Sequence, residues 1–320
     1  MVLACARTHA KPFGPCSRVM RSLARNHVLE SLRVKLSSET LSRAFPRVGT
    51  PWYETFMYGE MDSDPVVAYY DIAFGLTGKS ERRFYVDLMN RCGGPILDLA
   101  GGTGRFTLAA ATAGYPVTYI DASPGMHQRL NTKIEALPAR TAALIETQMA
   151  AMWEFDTHTT YQLVICVDAF FHLLTPEHAR AALSRIRASL NEDGLFAFNT
   201  HYTTPTFLCF AASPNGAEWN TRGKYPIPQT EDQLEVQQAL AVDYSTQVIV
   251  TKLRFLRTRS DGSLVSTTES EWQTRYYNRN ELEYLLELSD LDVISVQGTY
   301  DGDPVAEGSQ LIYVCRQRRR

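Results

Sequence analysis

Leu97-Asp98-Leu99-Ala100-Gly101-Gly102-Thr103-Gly104-Arg105-Phe106-Thr107 is the stretch of this 320-residue chain that decides the fold. An apolar run at 95–99 ends in a glycine-rich turn, and the turn opens a helix-like segment at 104–113. Glycines let the backbone turn sharply and let a ligand lie close against it. The next apolar run, 116–120, ends at Asp121. Further runs at 142–147, 162–167 and 194–199 accompany helical stretches at 79–91, 124–136 and 176–190. Thr175, Pro176 and Glu177 give the last helix an N-cap, a proline at its first position and an acidic first turn. Apolar strands alternating with helices predict a parallel sheet covered on both faces. Right-handed crossovers then give an α/β, doubly wound fold, which binds ligands at the carboxyl ends of its strands.

Outward from this core the pattern changes. Residues 203–235 are rich in Thr, Pro, Asn and Gly, with Phe207, Phe210, Trp219 and Tyr225 interspersed, and read as a long functional loop. Residues 237–277 alternate apolar and polar around a turn at Ser260-Asp261-Gly262-Ser263, which predicts two or three antiparallel strands. A helix over Glu281–Leu288 and strands at 291–297 and 309–315 close the chain. The expected organisation is a basic extension at 1–48, a core with an N-terminal lid at 49–202, an inserted loop and strand segment at 203–277, and a closing helix and hairpin at 278–320. The inserted strands are expected to serve the acceptor or a homodimer interface, since exposed sheet edges invite pairing.

Composition excludes several classes. Lys+Arg 32 against Asp+Glu 35 leaves a formal charge of −3, which argues against a protein built to neutralise nucleic-acid phosphates. No apolar run approaches the roughly 18–20 residues of a membrane span. The six cysteines are scattered without a C-x-x-C pair, so neither a zinc site nor a disulfide framework is expected, and no metal is assigned. Reduced thiols imply a cytoplasmic protein. Residues 1–48 carry nine Lys/Arg and two acids, which reads as an extension with a short helix around 17–35 or, alternatively, as an organelle transit peptide. The four arginines within 316–320 read as a solvated basic tail.

The glycine loop and Asp121 together read as a site for an adenosine-containing cofactor, because a carboxylate at that strand end can accept both ribose hydroxyls. A nicotinamide fingerprint wants G-x-G-x-x-G, but Thr107 stands where the third glycine belongs. Asp98 lies just before the turn, where a carboxylate would repel a pyrophosphate. It suits a cationic ligand such as S-adenosyl-L-methionine, which carries an amino group and a sulfonium and no phosphate.

The segments LDLAGGTGRFT (97–107) and VTYIDASPGM (117–126) resemble motifs I and II of class I S-adenosylmethionine-dependent methyltransferases. ETQMAAMWEFD (146–156) is similar to the segment after their third strand, and residues 161–199 to their fourth strand, helix and fifth strand. Residues 272–315 are similar to the terminal helix and hairpin, so the resemblance covers roughly 65–315. The nearest branch is the small-molecule N- or O-methyltransferases, including the amino-sugar N-methyltransferase type. The resemblance implies a seven-stranded Rossmann-like sheet with an antiparallel last strand, a small-molecule methyl acceptor and an EC 2.1.1 type enzyme. No N/D-P-P-Y/F tetrad of the kind used on base amines is present. A non-catalytic cofactor-binding protein and a nicotinamide-dependent oxidoreductase are the alternative readings.

By the same resemblance Asp98, Gly101, Gly102 and Gly104 would cradle the methionine part of the cofactor, and Ala100 would be a further cofactor-binding residue. Asp121 would hold the ribose, and Ala122 and Met126 would flank the adenine. Gln148 stands where the family often has an acid, followed by Met149, and its amide carbonyl could still accept from the adenine amino group. Asp168 and His172 would face the methyl group, His172 as a base with an imidazole near pKa 6.5. Phe170 and Phe171 are a candidate pocket wall, with core packing expected for at least one. Tyr69-Tyr70-Asp71-Ile72-Ala73-Phe74 resembles the family's lid helix, and Tyr70 would lay its ring near the sulfonium. His201 and Tyr202 are expected near the acceptor, and His127 and His158 on the surface.

Overall fold

A computed structural model describes residues 65–74 and 78–319. The basic extension at 1–48, its helix and the start of the lid lie outside the described residues. The core is a seven-stranded sheet of β1 (Ile96–Leu99), β2 (Val117–Asp121), β3 (Ile145–Met149), β4 (Tyr161–Cys166), β5 (Leu190–His201), β10 (Leu291–Gln297) and β11 (Gln310–Gln317). Its order is β10-β11-β5-β4-β1-β2-β3. β1 pairs in parallel with β2 and β4, whereas β11 slots antiparallel between β5 and β10. The order turns outward in both directions from β1 and β4, so their carboxyl ends form the crevice where such sheets bind ligands.

Two-residue periodicity explains why both faces are covered. Leu97 and Leu99 enter one core cluster, and Ile96 enters the other. On β4, Val164 and Cys166 face the first and Leu163 and Ile165 the second. α6 (Pro176–Ser189) and α9 (Arg279–Leu288) cover the first face, and α2 (Lys79–Cys92) and α3 (Arg105–Thr112) the second. Each fully buried aliphatic contributes about 1.5–3 kcal/mol. Thr175 caps α6, accepting from the His178 N–H at 3.1 Å. β3 departs from the apolar expectation: it is an edge strand, and Glu146, Thr147 and Met149 are exposed. α4 (Pro124–Glu135) and the short α5 (Ala139–Ala142) lie between β2 and β3.

The segment at 203–235 is not one long loop. α7 (Pro205–Ala211), α8 (Pro214–Ala217) and β6 (Asn220–Pro226) occupy it. Each helix starts on a hydroxyl N-cap followed by proline: Thr204 accepts from the Phe207 N–H and Ser213 from the Gly216 N–H. β6 then pairs with β7 (Gln233–Asp243), β8 (Val248–Thr258) and β9 (Leu264–Arg275) in a four-stranded antiparallel sheet. The expected turn joins β8 to β9, with Gly262 at φ 83° and the Asp261 carboxylate accepting from the Ser263 N–H.

The helix α1 (Pro65–Ala73) connects the two sheets. Val66 packs with Leu234, Val236, Leu253 and Phe255 of the second sheet. Phe74 sets its ring edge-on to Trp272 at 5.1 Å. On the other side, Asp71 accepts from the Thr103 hydroxyl at 2.5 Å and pairs with Lys133 at 2.9 Å. Arg129 donates to the Val67 and Ala68 carbonyls. No helix among the described residues is long and apolar enough to cross a membrane.

Candidate functional site

The carboxyl ends of β1, β2 and β4 open into a cavity of about 960 Å³ that runs on to the second sheet. The glycine loop forms its first wall. Gly102 has φ 57° and Gly104 φ 84°, a left-handed region that L side chains avoid. A Cβ on Gly104 would stand 2.3 Å from the Leu130 side chain. The Gly102 N–H donates to one Asp121 carboxylate oxygen at 2.9 Å, and the Ser123 N–H donates to the other at 2.9 Å. The Tyr119 hydroxyl donates to the Gly102 carbonyl at 2.6 Å. Tyr70 lies across this loop, with its hydroxyl 3.5 Å from where a Gly102 Cβ would project. Burial pushes the Tyr70 phenol up to about 12, so it stays a neutral donor.

Of the expected cofactor residues, Tyr70, Ala100, Gly102, Asp121, Ala122, Met126 and Asp168 border the cavity. Asp98 does not. It is buried behind the loop, where its Oδ2 accepts from the Thr107 hydroxyl at 2.6 Å. Burial raises its carboxyl to about 6 against the lowering effect of that hydrogen bond. Asp98 therefore braces the strand-to-helix turn through Thr107, the residue that displaces the third glycine of the nicotinamide pattern. Gly101 and Gly104 shape the turn from behind as well. Gln148 and Met149 on the edge strand also miss the cavity, and Ala150 and Met152, just beyond them, border it instead.

The middle of the cavity holds titratable groups. Asp168 has φ 52°, and Asn199 clamps it: the Asp168 N–H donates to Asn199 Oδ1 at 2.8 Å, and Asn199 Nδ2 donates to Asp168 Oδ1 at 2.5 Å. Glu81, in the first turn of α2, faces the same space and gave no signal in the sequence. Arg105 pairs with Glu81 at 3.3 Å and with Asp168 at 3.5 Å. Burial, opposed by Arg105 and reinforced by Asp168, pushes the Glu81 carboxyl up to about 7. His172 lies in the 3-10 turn Phe170–His172, with Nδ1 3.3 Å from the Gln273 carbonyl. A carbonyl only accepts, so Nδ1 carries the proton and Nε2 is the acceptor. Burial pulls His172 down to about 4, which replaces the expectation of an imidazole near 6.5. Phe170 is fully buried core, whereas Phe171 borders the cavity and stacks on His201 at 5.5 Å. Tyr202 borders it too.

Two further expectations change. His127 is buried, not on the surface: its Nε2 donates to the Asp121 carbonyl at 3.0 Å and its ring meets Tyr119 edge-on. His158 is exposed, as read. Of the four loop aromatics only Phe207 borders the cavity; Trp219 instead lies under Arg254, and Tyr225 packs with the second sheet's core.

Residues 96–194 match a family model described as a methyltransferase domain. The chain is 29% identical over 129 residues to a glycine/sarcosine N-methyltransferase of Parasynechococcus marenigrum (strain WH8102), covering 39% of this chain and 44% of that one. Among solved structures it is similar to the CcbJ methyltransferase of Streptomyces caelestis, with TM-score 0.62 and 17% identity over 79% of this chain and 96% of that one. It is also similar to S-adenosylmethionine-bound CalS10, an amino pentose methyltransferase of Micromonospora echinaspora, with TM-score 0.58 and 16% identity over 85% and 99%. The chain spans about 41–44% of the length of the curated relatives it matches.

Proposed function

We propose that this chain is a class I S-adenosylmethionine-dependent methyltransferase that moves a methyl group from S-adenosyl-L-methionine to an amine nitrogen of a small molecule, a reading its fold and its matched methyltransferase domain support. The observation that carries this reading is one continuous cavity. It runs from the glycine loop and Asp121, past Tyr70, to Asp168 and His172 and on to the second sheet. Its first part suits an adenosine-containing cation. A carboxylate borders it where ribose hydroxyls would lie, Ala122 and Met126 offer apolar flanks, and Glu81 and Asp168 supply negative charge beyond. The similarity to a glycine/sarcosine N-methyltransferase agrees with a nitrogen acceptor.

The cofactor, when bound, supplies a methyl group already activated on a sulfonium. What remains for the chain is positioning, and oriented pairs reach effective molarities on the order of 10⁵–10⁸ M. Tyr70 closes the site over the loop and keeps water out. His172, neutral at pH 7, offers Nε2 to an acceptor N–H and orients the nitrogen lone pair. A neutral amine is already nucleophilic, so an imidazole with a depressed pKa suffices to guide it, whereas a hydroxyl would demand a stronger base. Asp168 stands beside the nitrogen as the charge that favours the developing ammonium. Gln148 and Met149 do not border the cavity, and in this reading the adenine role passes to Ala150 and Met152, which do.

Calorimetric titration with S-adenosylmethionine, S-adenosylhomocysteine and NAD tests the cofactor. Binding of the first two and not of NAD supports it, and release of S-adenosylhomocysteine with an amine panel then tests the reaction. Binding of NAD alone would overturn the assignment.

A further inference from the structure

Beyond His172 the cavity reaches the second sheet, and there its wall changes sign. Arg222 on β6 borders it, with the guanidinium 5.2 Å from the Phe74 ring centre and 5.9 Å from that of Trp272. Its Nη1 donates to the neutral Oε1 of Gln238 at 3.2 Å. Among the described residues no carboxylate lies within ion-pair distance of Arg222. Other cations of the same sheet are paired: Lys224 with Glu235 at 2.9 Å, Arg254 with Glu269 at 2.7 Å, and Arg257 with Asp232 at 2.6 Å.

The contrast has an energetic meaning. Stacking on aromatic faces returns about 0.5–2 kcal/mol to a guanidinium. A carboxylate matches its planar fork with two charge-assisted hydrogen bonds and returns more. Partial desolvation by its neighbours lowers the pKa of Arg222, although the residue keeps an exposed face. His201 also borders the cavity, within electrostatic reach of both Asp168 and Arg222. The cavity is thus anionic near the transfer point and cationic further out.

We propose that Arg222 binds a carboxylate of the methyl acceptor, so that the acceptor is an amino acid or a similar zwitterion with its amine toward Asp168. This rests on the reading of the cavity as a methyltransferase site. A phosphate would call for more donors than one guanidinium and one amide, so a carboxylate fits better.

The test is an NMR titration of the full chain, with and without S-adenosylhomocysteine, following the indole N–H of Trp272 assigned with the Trp272→Phe variant. The probes are acetate and benzoate, their neutral partners acetamide and benzamide, and inorganic phosphate. Saturable shifts with the carboxylates, little response to the amides, and about a tenfold or larger loss of affinity in Arg222→Gln are expected. Arg222→Lys keeps the charge without the fork and should lose less, which serves if Arg222→Gln folds poorly. Equal response to amides, a stronger response to phosphate, no saturable shift, or unchanged affinity in both variants would each overturn the proposal. Calorimetry with S-adenosylhomocysteine on the same samples separates the two readings. Its failure counts against the cofactor site, and its success alongside a flat carboxylate titration counts against Arg222 alone.

Discussion

Asp121 at the end of β2 holds the Gly102 N–H of the neighbouring β1 loop at 2.9 Å, so the residue assigned to the ribose also fixes the cradle beside it. Its other oxygen takes the Ser123 N–H at 2.9 Å, at the N-cap of α4. Asp121→Ala removes both acceptors and leaves two backbone donors to find water. Each unsatisfied donor costs about 1–3 kcal/mol when buried. We expect a lower thermal midpoint and at least about a tenfold rise in the Kd for S-adenosylhomocysteine. Asp121→Asn keeps one amide oxygen and should recover part of the stability while still binding cofactor weakly. Equal affinity in Asp121→Ala and the parent would refute the assignment.

The loop is also a backbone argument. Gly104 combines φ 84° with a Cβ position 2.3 Å from the Leu130 side chain. Gly104→Ala should destabilise the fold by about 1–3 kcal/mol from the left-handed conformation alone, plus the cost of displacing Leu130. Urea denaturation of this variant measures it. A midpoint unchanged from the parent would mean that the turn relaxes freely.

His172 links the site to pH. Its pKa falls from 6.5 to about 4 on folding because burial disfavours the charged ring. Between those values the unfolded chain binds more protons, so stability rises with pH across that window and is lost as pH falls from about 6.5 toward about 4. His172→Gln stays neutral and should show a shallower loss in the same window. His172→Ala should lower turnover toward the small end of the 10²–10⁴-fold range of proton-transfer groups and leave cofactor affinity nearly intact. Unchanged turnover would remove His172 from the reaction.

The strand–loop–helix unit at 96–112 and the capped helix at 176 were legible because local rules decide them: apolar runs, glycines at a turn, and Thr-Pro-Glu at a helix start. The two short helices after residue 204 obey the same cap-then-proline rule, but three-residue signals inside a Pro- and Asn-rich stretch read as loop. Asp98 and Glu81 show a different limit. Asp98 looked like a ligand group because it precedes the glycines, yet strand alternation turns its carboxylate toward Thr107. Glu81 carries no motif, and it becomes a site residue only when α2 packs beside β4 and brings it to Asp168. The same holds for Arg222, whose role depends on a sheet that folds over the cavity from more than a hundred residues downstream of the glycine loop.

Glu81 supplies the last prediction. Its carboxyl rises from 4.5 to about 7 as burial outweighs Arg105 beside it. The folded state binds more protons between those values, so this group's contribution to stability falls as pH rises through the window. Ligand binding should run the other way. Both S-adenosylmethionine and S-adenosylhomocysteine carry an amino group, and a cation near Glu81 and Asp168 favours the ionised carboxylate. Affinity for either should therefore increase from pH 6 to pH 8. Glu81→Gln cannot ionise, and its affinity should be lower at pH 8 and nearly flat across the range. Calorimetry at pH 6, 7 and 8 on both proteins reads the difference directly. Parallel pH profiles would place the amino group away from Glu81, and Asp168 would then carry that end of the site alone.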